Sequence, residues 1–199
     1  MSGVISDVER FEAAIAAFDK ANAEDPNTET YNGIEYPKEL LYAQRMTRRL
    51  NEFSPNAPEA VQLAAHCQHI RRWASPRSDY PMDNVGYKRW RTDLAKFHAK
   101  TAAEILQQVG HDEETVNRVE TLLQKKRLKL DQGVQLLEDV ICLVFLENYF
   151  ADFSQQHDEE KLTGIVRKTW RKMSPQGQQA ALALDFSPEA VTIIEKALT

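Results

Sequence analysis

His66 and His69 stand three residues apart in an apolar stretch, a spacing that on a helix brings two imidazoles toward one metal ion or phosphate. Glu138 and Asp139 open the apolar run Val140 to Leu146. His98 falls on a helical face marked by Trp90, Leu94, Phe97, Thr101 and Ile105, and Arg91, seven residues earlier, shares its direction. A carboxylate carried into low dielectric needs a cation, a metal, several hydrogen bonds or a proton. The expected partners of Glu138 and Asp139 are His66, His69, His98, Arg72 and Arg91. If they converge, His66, His69, His98 and Asp139 form a divalent-metal set. Asp139, His69 and Glu138 are then the catalytic groups around a metal-activated water. The competing reading is a buried His–carboxylate or Arg–carboxylate pair that joins helices, and residue types leave both open. No Glu-x-x-His occurs, which excludes a di-iron carboxylate bundle.

A second constellation is basic and aromatic. Between Arg71 and Lys100 there are eight Lys or Arg against three Asp, interleaved with Trp73, Tyr80, Tyr87, Trp90 and Phe97. Guanidinium forks suit phosphate or carboxylate, and aromatic faces suit planar groups. The candidate ligand-binding residues are Arg71, Arg72, Trp73, Arg77, Tyr87, Arg89, Trp90 and Arg91, around a loop over 75–86. Equally, arginines stacked on tryptophans can tie that loop to its helices with no ligand.

The elements that must position these groups are helical. Nearly every segment carries the 3.6-residue period, no clean alternating strand appears, and glycines and prolines fall where helices should stop. The first helix opens on the capping box Ser6-Asp7-Val8-Glu9 and presents Val8, Phe11, Ile15 and Phe18. After a polar loop come helices over 37–50, 58–75, 87–109 and 112–128. The most apolar helix, over 132–153, is the expected centre. Three shorter helices follow, the last two opening at Ser174-Pro175 and Ser187-Pro188. The expected fold is thus an all-α bundle of eight or nine helices in a single domain, 1–199.

Composition narrows the setting. A net charge of −5 opposes whole-molecule attraction to nucleic acid or an anionic membrane, so any such contact needs a local basic patch. Cys67 and Cys142, the two cysteines, lie in apolar helical stretches and read as core thiols of a reducing compartment. The start Met1-Ser2-Gly3-Val4 lacks the basic opening and apolar run of a secretory signal. No apolar run is long enough to span a bilayer. The expected location is the cytoplasm.

Several blocks carry a family resemblance. They are Glu39 to Met46, Gln68 to Trp73, Pro76-Arg77 with Tyr80-Pro81, Gly86 to Arg91, Leu137 to Leu146 and Lys168 to Ser174. Together they resemble a bacterial and fungal family catalogued as domain of unknown function 4202, which implies no particular activity. A fainter likeness is to the all-helical HD-domain metal phosphohydrolases. Asp139 before its apolar run matches their late Asp, and the run from Ala102 through Gly110 is similar to the middle of that fold. His69 takes the place of the His in their His-Asp doublet, with Ile70 where the Asp belongs. Arg45 and Lys125 or Lys126 fall near the places of further histidines.

Two functions follow as expectations. One is a degenerate HD-like hydrolase that uses a divalent metal on a phosphorylated or nucleotide-like small molecule. The alternative is a non-catalytic module that binds a nucleotide, RNA or protein through the stretch 71–100.

Overall fold

A computed structural model describes residues 6–198; the reading of Met1 to Val4 lies outside the described residues. The chain is all-α apart from one two-stranded hairpin among those residues. Its internal packing divides it into two compact units, Met1–Lys126 and Arg127–Thr199.

The first unit begins with α1 (Asp7–Asn22), and its capping box forms as expected. Its buried face is Ala14, Phe18 and Ala21, whereas Val8 is exposed. The expected polar loop is instead a hairpin of β1 (Thr28–Tyr31) and β2 (Ile34–Pro37), in register from Thr28 opposite Pro37 to Tyr31 opposite Ile34. Asn32 and Gly33 close it at φ 51° and 76°, the paired positive values that a tight hairpin turn requires. The hairpin packs on α2 (Lys38–Phe53). There Arg45 is buried, pairs with Glu29 and lies 5.0 Å from the Tyr31 ring centroid.

α3 (Glu59–His66) ends well before the expected boundary near Pro76. Buried Asn22 accepts a hydrogen bond from the Arg71 amide at 3.0 Å, and Arg71 takes a left-handed φ of 48°. Capture of that amide turns the chain, although Ile70 and Ala74 keep the helical period. α4 (Asn84–Gln108) starts three residues early because Asp83 caps it, accepting from the Gly86 amide at 2.6 Å. Only glycine suits position 86, since a Cβ would lie 2.1 Å from the Pro81 carbonyl oxygen. α5 (Glu113–Leu123) is shorter than expected. Lys125, Arg127 and Lys129, expected within or just after its last turn, have φ of 53°, 65° and 74°.

In the second unit, α6 (Gln132–Asn148) is the apolar helix, with Val140, Leu143 and Val144 fully buried. It breaks at Tyr149, whose φ of −126° is not helical, so α7 (Phe150–Ser154) is separate. α8 (Glu159–Lys172), α9 (Pro175–Leu182) and α10 (Pro188–Leu198) complete the unit. α8 packs on α10, and Arg167 donates to the carbonyls of Ala197 and Lys196 at 3.0 and 3.2 Å. That satisfies carbonyls at a helix end that lack intrahelical donors.

Candidate anion site

Three segments of the first unit converge on one cavity of about 280 Å³. The turn after α3 contributes Gln68, His69 and Arg72, and α4 contributes Arg91, Lys96 and His98. Lys125 and Lys126 reach it from the turn after α5. Five cationic side chains thus line a single cavity, and no carboxylate does. In an acidic chain that is a strong local reversal of charge.

One wall is a fixed polar network. His69 Nδ1 lies 3.1 Å from a Glu39 carboxylate oxygen, and an Arg72 guanidinium nitrogen lies 3.0 Å from His69 Nε2. Arginine has only hydrogens to offer, so Nε2 accepts and Nδ1 carries the proton toward Glu39. Tyr42 stacks on His69 at a centroid distance of 3.9 Å. Arg72 lies 5.1 Å from the Trp90 ring centroid, and Trp90 donates its indole N–H to the Ser75 carbonyl at 2.9 Å.

The electrostatics agree with this geometry. Burial holds the His69 pKa well below the ordinary range, and the Arg72 and His98 charges add to the effect. Burial, then Arg72 and Arg91, brings His98 down to about 3. Both rings are therefore neutral at pH 7. Burial raises Glu39 to about 7 against the opposing pull of Arg72.

His98 and Arg91 do share a direction, as their seven-residue spacing on one helix implies. His66 and His69 do not, because the helix stops between them. His66 is satisfied elsewhere: Nε2 lies 2.8 Å from Asp19 Oδ1 and Nδ1 lies 2.8 Å from Thr47 Oγ1.

Glu138 and Asp139 are both 2% exposed, as their place on α6 requires. Asp139, however, accepts hydrogen bonds from Ser174 N and Oγ at 2.7 and 2.6 Å, and from Gln135 Nε2 at 3.1 Å. Glu138 pairs with Lys172 at 3.3 Å. Asp139 is thus held by hydroxyl, amide and carboxamide groups rather than by the imidazoles or arginines expected from the sequence.

Among the basic and aromatic candidates, Arg72 and Arg91 line the cavity. Arg71 pairs with Glu24 at 3.0 Å. Arg77 donates to the carbonyls of Tyr80, Pro81 and Asp83 within the loop over 75–86. Tyr87 is half exposed beside Trp90, Trp73 is half-buried, and Arg89 reaches Asp93 from an exposed position. Glu39, Tyr42 and Gln68 escape sequence reasoning, although all three lie in blocks that carry the family resemblance. Lys125 and Lys126 entered only through the fainter family likeness, since their stretch otherwise reads as the end of a helix.

The residues fit a divalent cation poorly. The lone pair of His69 Nε2 is engaged by a guanidinium, and the charged side chains that line the cavity are all cationic. Among the described residues, no group of three or more His, Cys, Asp or Glu side chains is arranged to hold a metal ion. None of the described helices is long and apolar enough to cross a membrane.

Lys125 lines the cavity from a left-handed backbone, a conformation that costs a residue with a Cβ about 1–2 kcal/mol. Lys125→Gly removes both the strain and a cation. Stability measured by urea unfolding should stay within about 1 kcal/mol of wild type or rise, while affinity for an anion should fall.

The geometry defines an all-helical protein with a cationic cavity built on a buried Glu–His–Arg network. A family model, described as domain of unknown function (DUF4202), matches residues 12–194, and the chain belongs to that family. No curated protein and no solved structure matches the chain.

Proposed function

We propose that this protein binds a small phosphorylated molecule in the cavity of its first unit. The observation that supports this most is the convergence of Arg72, Arg91, Lys96, Lys125 and Lys126 on one cavity without a lining carboxylate. Charge-assisted hydrogen bonds from guanidinium and ammonium groups to phosphate oxygens are the strongest such a site offers. The neutral histidines add polar contacts without competing for the anion's charge.

Isothermal titration of the whole protein with propyl phosphate tests this at low and moderate salt. Saturable binding that weakens with salt and falls about tenfold or more in Arg91→Ala is expected. Absence of saturable binding, or equal binding by the variant, would overturn the reading.

The alternative of a metal-dependent HD-like phosphohydrolase requires His66, His69, His98 and Asp139 to share an ion. Elemental analysis of the purified protein discriminates. A stoichiometric divalent metal that is lost in His69→Ala would favour that alternative over simple binding.

A further inference from the structure

We infer that the ligand of this cavity carries hydroxyl groups beside its phosphate, as a phosphorylated polyol or sugar does. The inference rests on the phosphate-binding reading above and names the ligand's other half.

It comes from atoms that the cations do not explain. His98 Nε2 and Gln68 Oε1 are both buried and find no hydrogen-bond partner among the described residues. His98 and Gln68 are 4% and 5% exposed, and both line the cavity. The Gln68 backbone carbonyl interacts with the His98 imidazole. With Nε2 unpartnered, Nδ1 is the nitrogen that can donate to it. A neutral ring that donates through Nδ1 leaves a lone pair on Nε2. Two unpaired acceptors therefore occur on the residues that border the cations.

Acceptors buried without donors cost free energy that a bound O–H recovers. Phosphate oxygens cannot supply it, because at neutral pH they are chiefly acceptors themselves. The complement of five cations and two acceptors is a molecule with an anionic end and hydroxyl donors close by. The His69 ring, 5.8 Å from that of His98, is already committed to Glu39 and Arg72. Hydroxyl recognition therefore falls to His98 and Gln68.

The test compares ligands of equal charge on the unmodified protein. Ribose 5-phosphate and pentyl phosphate share a phosphomonoester and five carbons but differ in hydroxyls. Calorimetric titration is expected to give at least tenfold tighter binding of ribose 5-phosphate. A site built to hydrogen-bond a hydroxyl discriminates strongly against the analogue that lacks it. In His98→Phe the ratio of the two affinities should shrink severalfold, ribose 5-phosphate losing more than pentyl phosphate does. Gln68→Leu should act the same way and serves if His98→Phe does not fold. Equal affinity of the wild type for the two ligands overturns the inference and leaves phosphate binding standing. Failure of both ligands to bind overturns phosphate binding itself, and the inference with it.

Discussion

Asp139→Ala should destabilise the second unit by about 3–5 kcal/mol, the range for stripping one partner from a buried charged network. The carboxylate is 2% exposed and accepts from the Ser174 amide, the Ser174 hydroxyl and Gln135. Ser174 also caps α9, its hydroxyl accepting from the Gly177 amide at 3.0 Å. Loss of Asp139 therefore strands the Ser174 amide and hydroxyl, though Gln135 keeps the Lys172 carbonyl at 2.9 Å, and loosens a helix start as well. Gly177 makes the same contact from the other side. A Cβ there would stand 2.7 Å from the Asp139 carboxyl carbon and from Oδ1. Gly177→Ala alone should cost about 1–3 kcal/mol through overpacking. In the double variant the methyl occupies part of the space the carboxylate leaves, so the two losses should combine to less than their sum. Urea unfolding of the four proteins measures this, and strict additivity would mean that the contact carries no energy.

Glu39→Gln should change how stability depends on pH. The folded carboxyl keeps its proton up to about pH 7, whereas the ordinary value is 4.5. Between those values the folded state holds more protons than the unfolded state, so the wild-type contribution of this group is lost as pH rises. At about 1.4 kcal/mol per pH unit, the loss reaches roughly 3 kcal/mol by neutrality. Glutamine does not titrate. The variant should therefore gain on wild type by about that much between pH 4.5 and 7, and level off above. His98, brought down to about 3, works in the opposite sense. Its neutral state stabilises the fold above the ordinary histidine range, and that stability drains as pH falls from about 6.5 toward 3. Unfolding curves at half-unit intervals separate the two slopes. A flat difference between Glu39→Gln and wild type would show that Glu39 is an ordinary carboxylate.

How much of this is legible in the sequence depends on whether a helix runs unbroken. Arg91 and His98 fall on one face because α4 is continuous over both, and seven residues bring them into line. The same arithmetic fails for His66 and His69. The α-helix ends at His66, and the amides of Gln68 and Ile70 reach back three residues instead of four. No periodicity reports such an event. Burial of Glu138 and Asp139 follows from the apolar run they introduce, but their partners do not. A serine hydroxyl and amide solve the charge problem as well as a cation does, and Ser174 reads only as a helix cap. Glu39 is hidden for another reason. In the first turn of a helix an acidic residue suits the helix dipole, and nothing nearby signals that it is buried. The Asn32-Gly33 pair does signal a tight turn, but the four-residue strands around it are too short for alternation to stand out.

Arg72 bears on what binding would cost. Its guanidinium is gripped before any ligand arrives: His69 accepts from it, Glu39 faces its Nε at 3.9 Å, and Trp90 lies against it. Freezing a long side chain at the moment of association sacrifices about 0.5–1.5 kcal/mol of rotamer freedom. Here folding has already taken that loss, so an incoming anion meets a rigid, oriented fork. The same feature sets apart the two basic residues at this position. Lysine carries the charge but has one flexible ammonium in place of a planar group with several fixed donors, so Arg72→Lys should preserve the cavity's potential and forfeit its preorganisation.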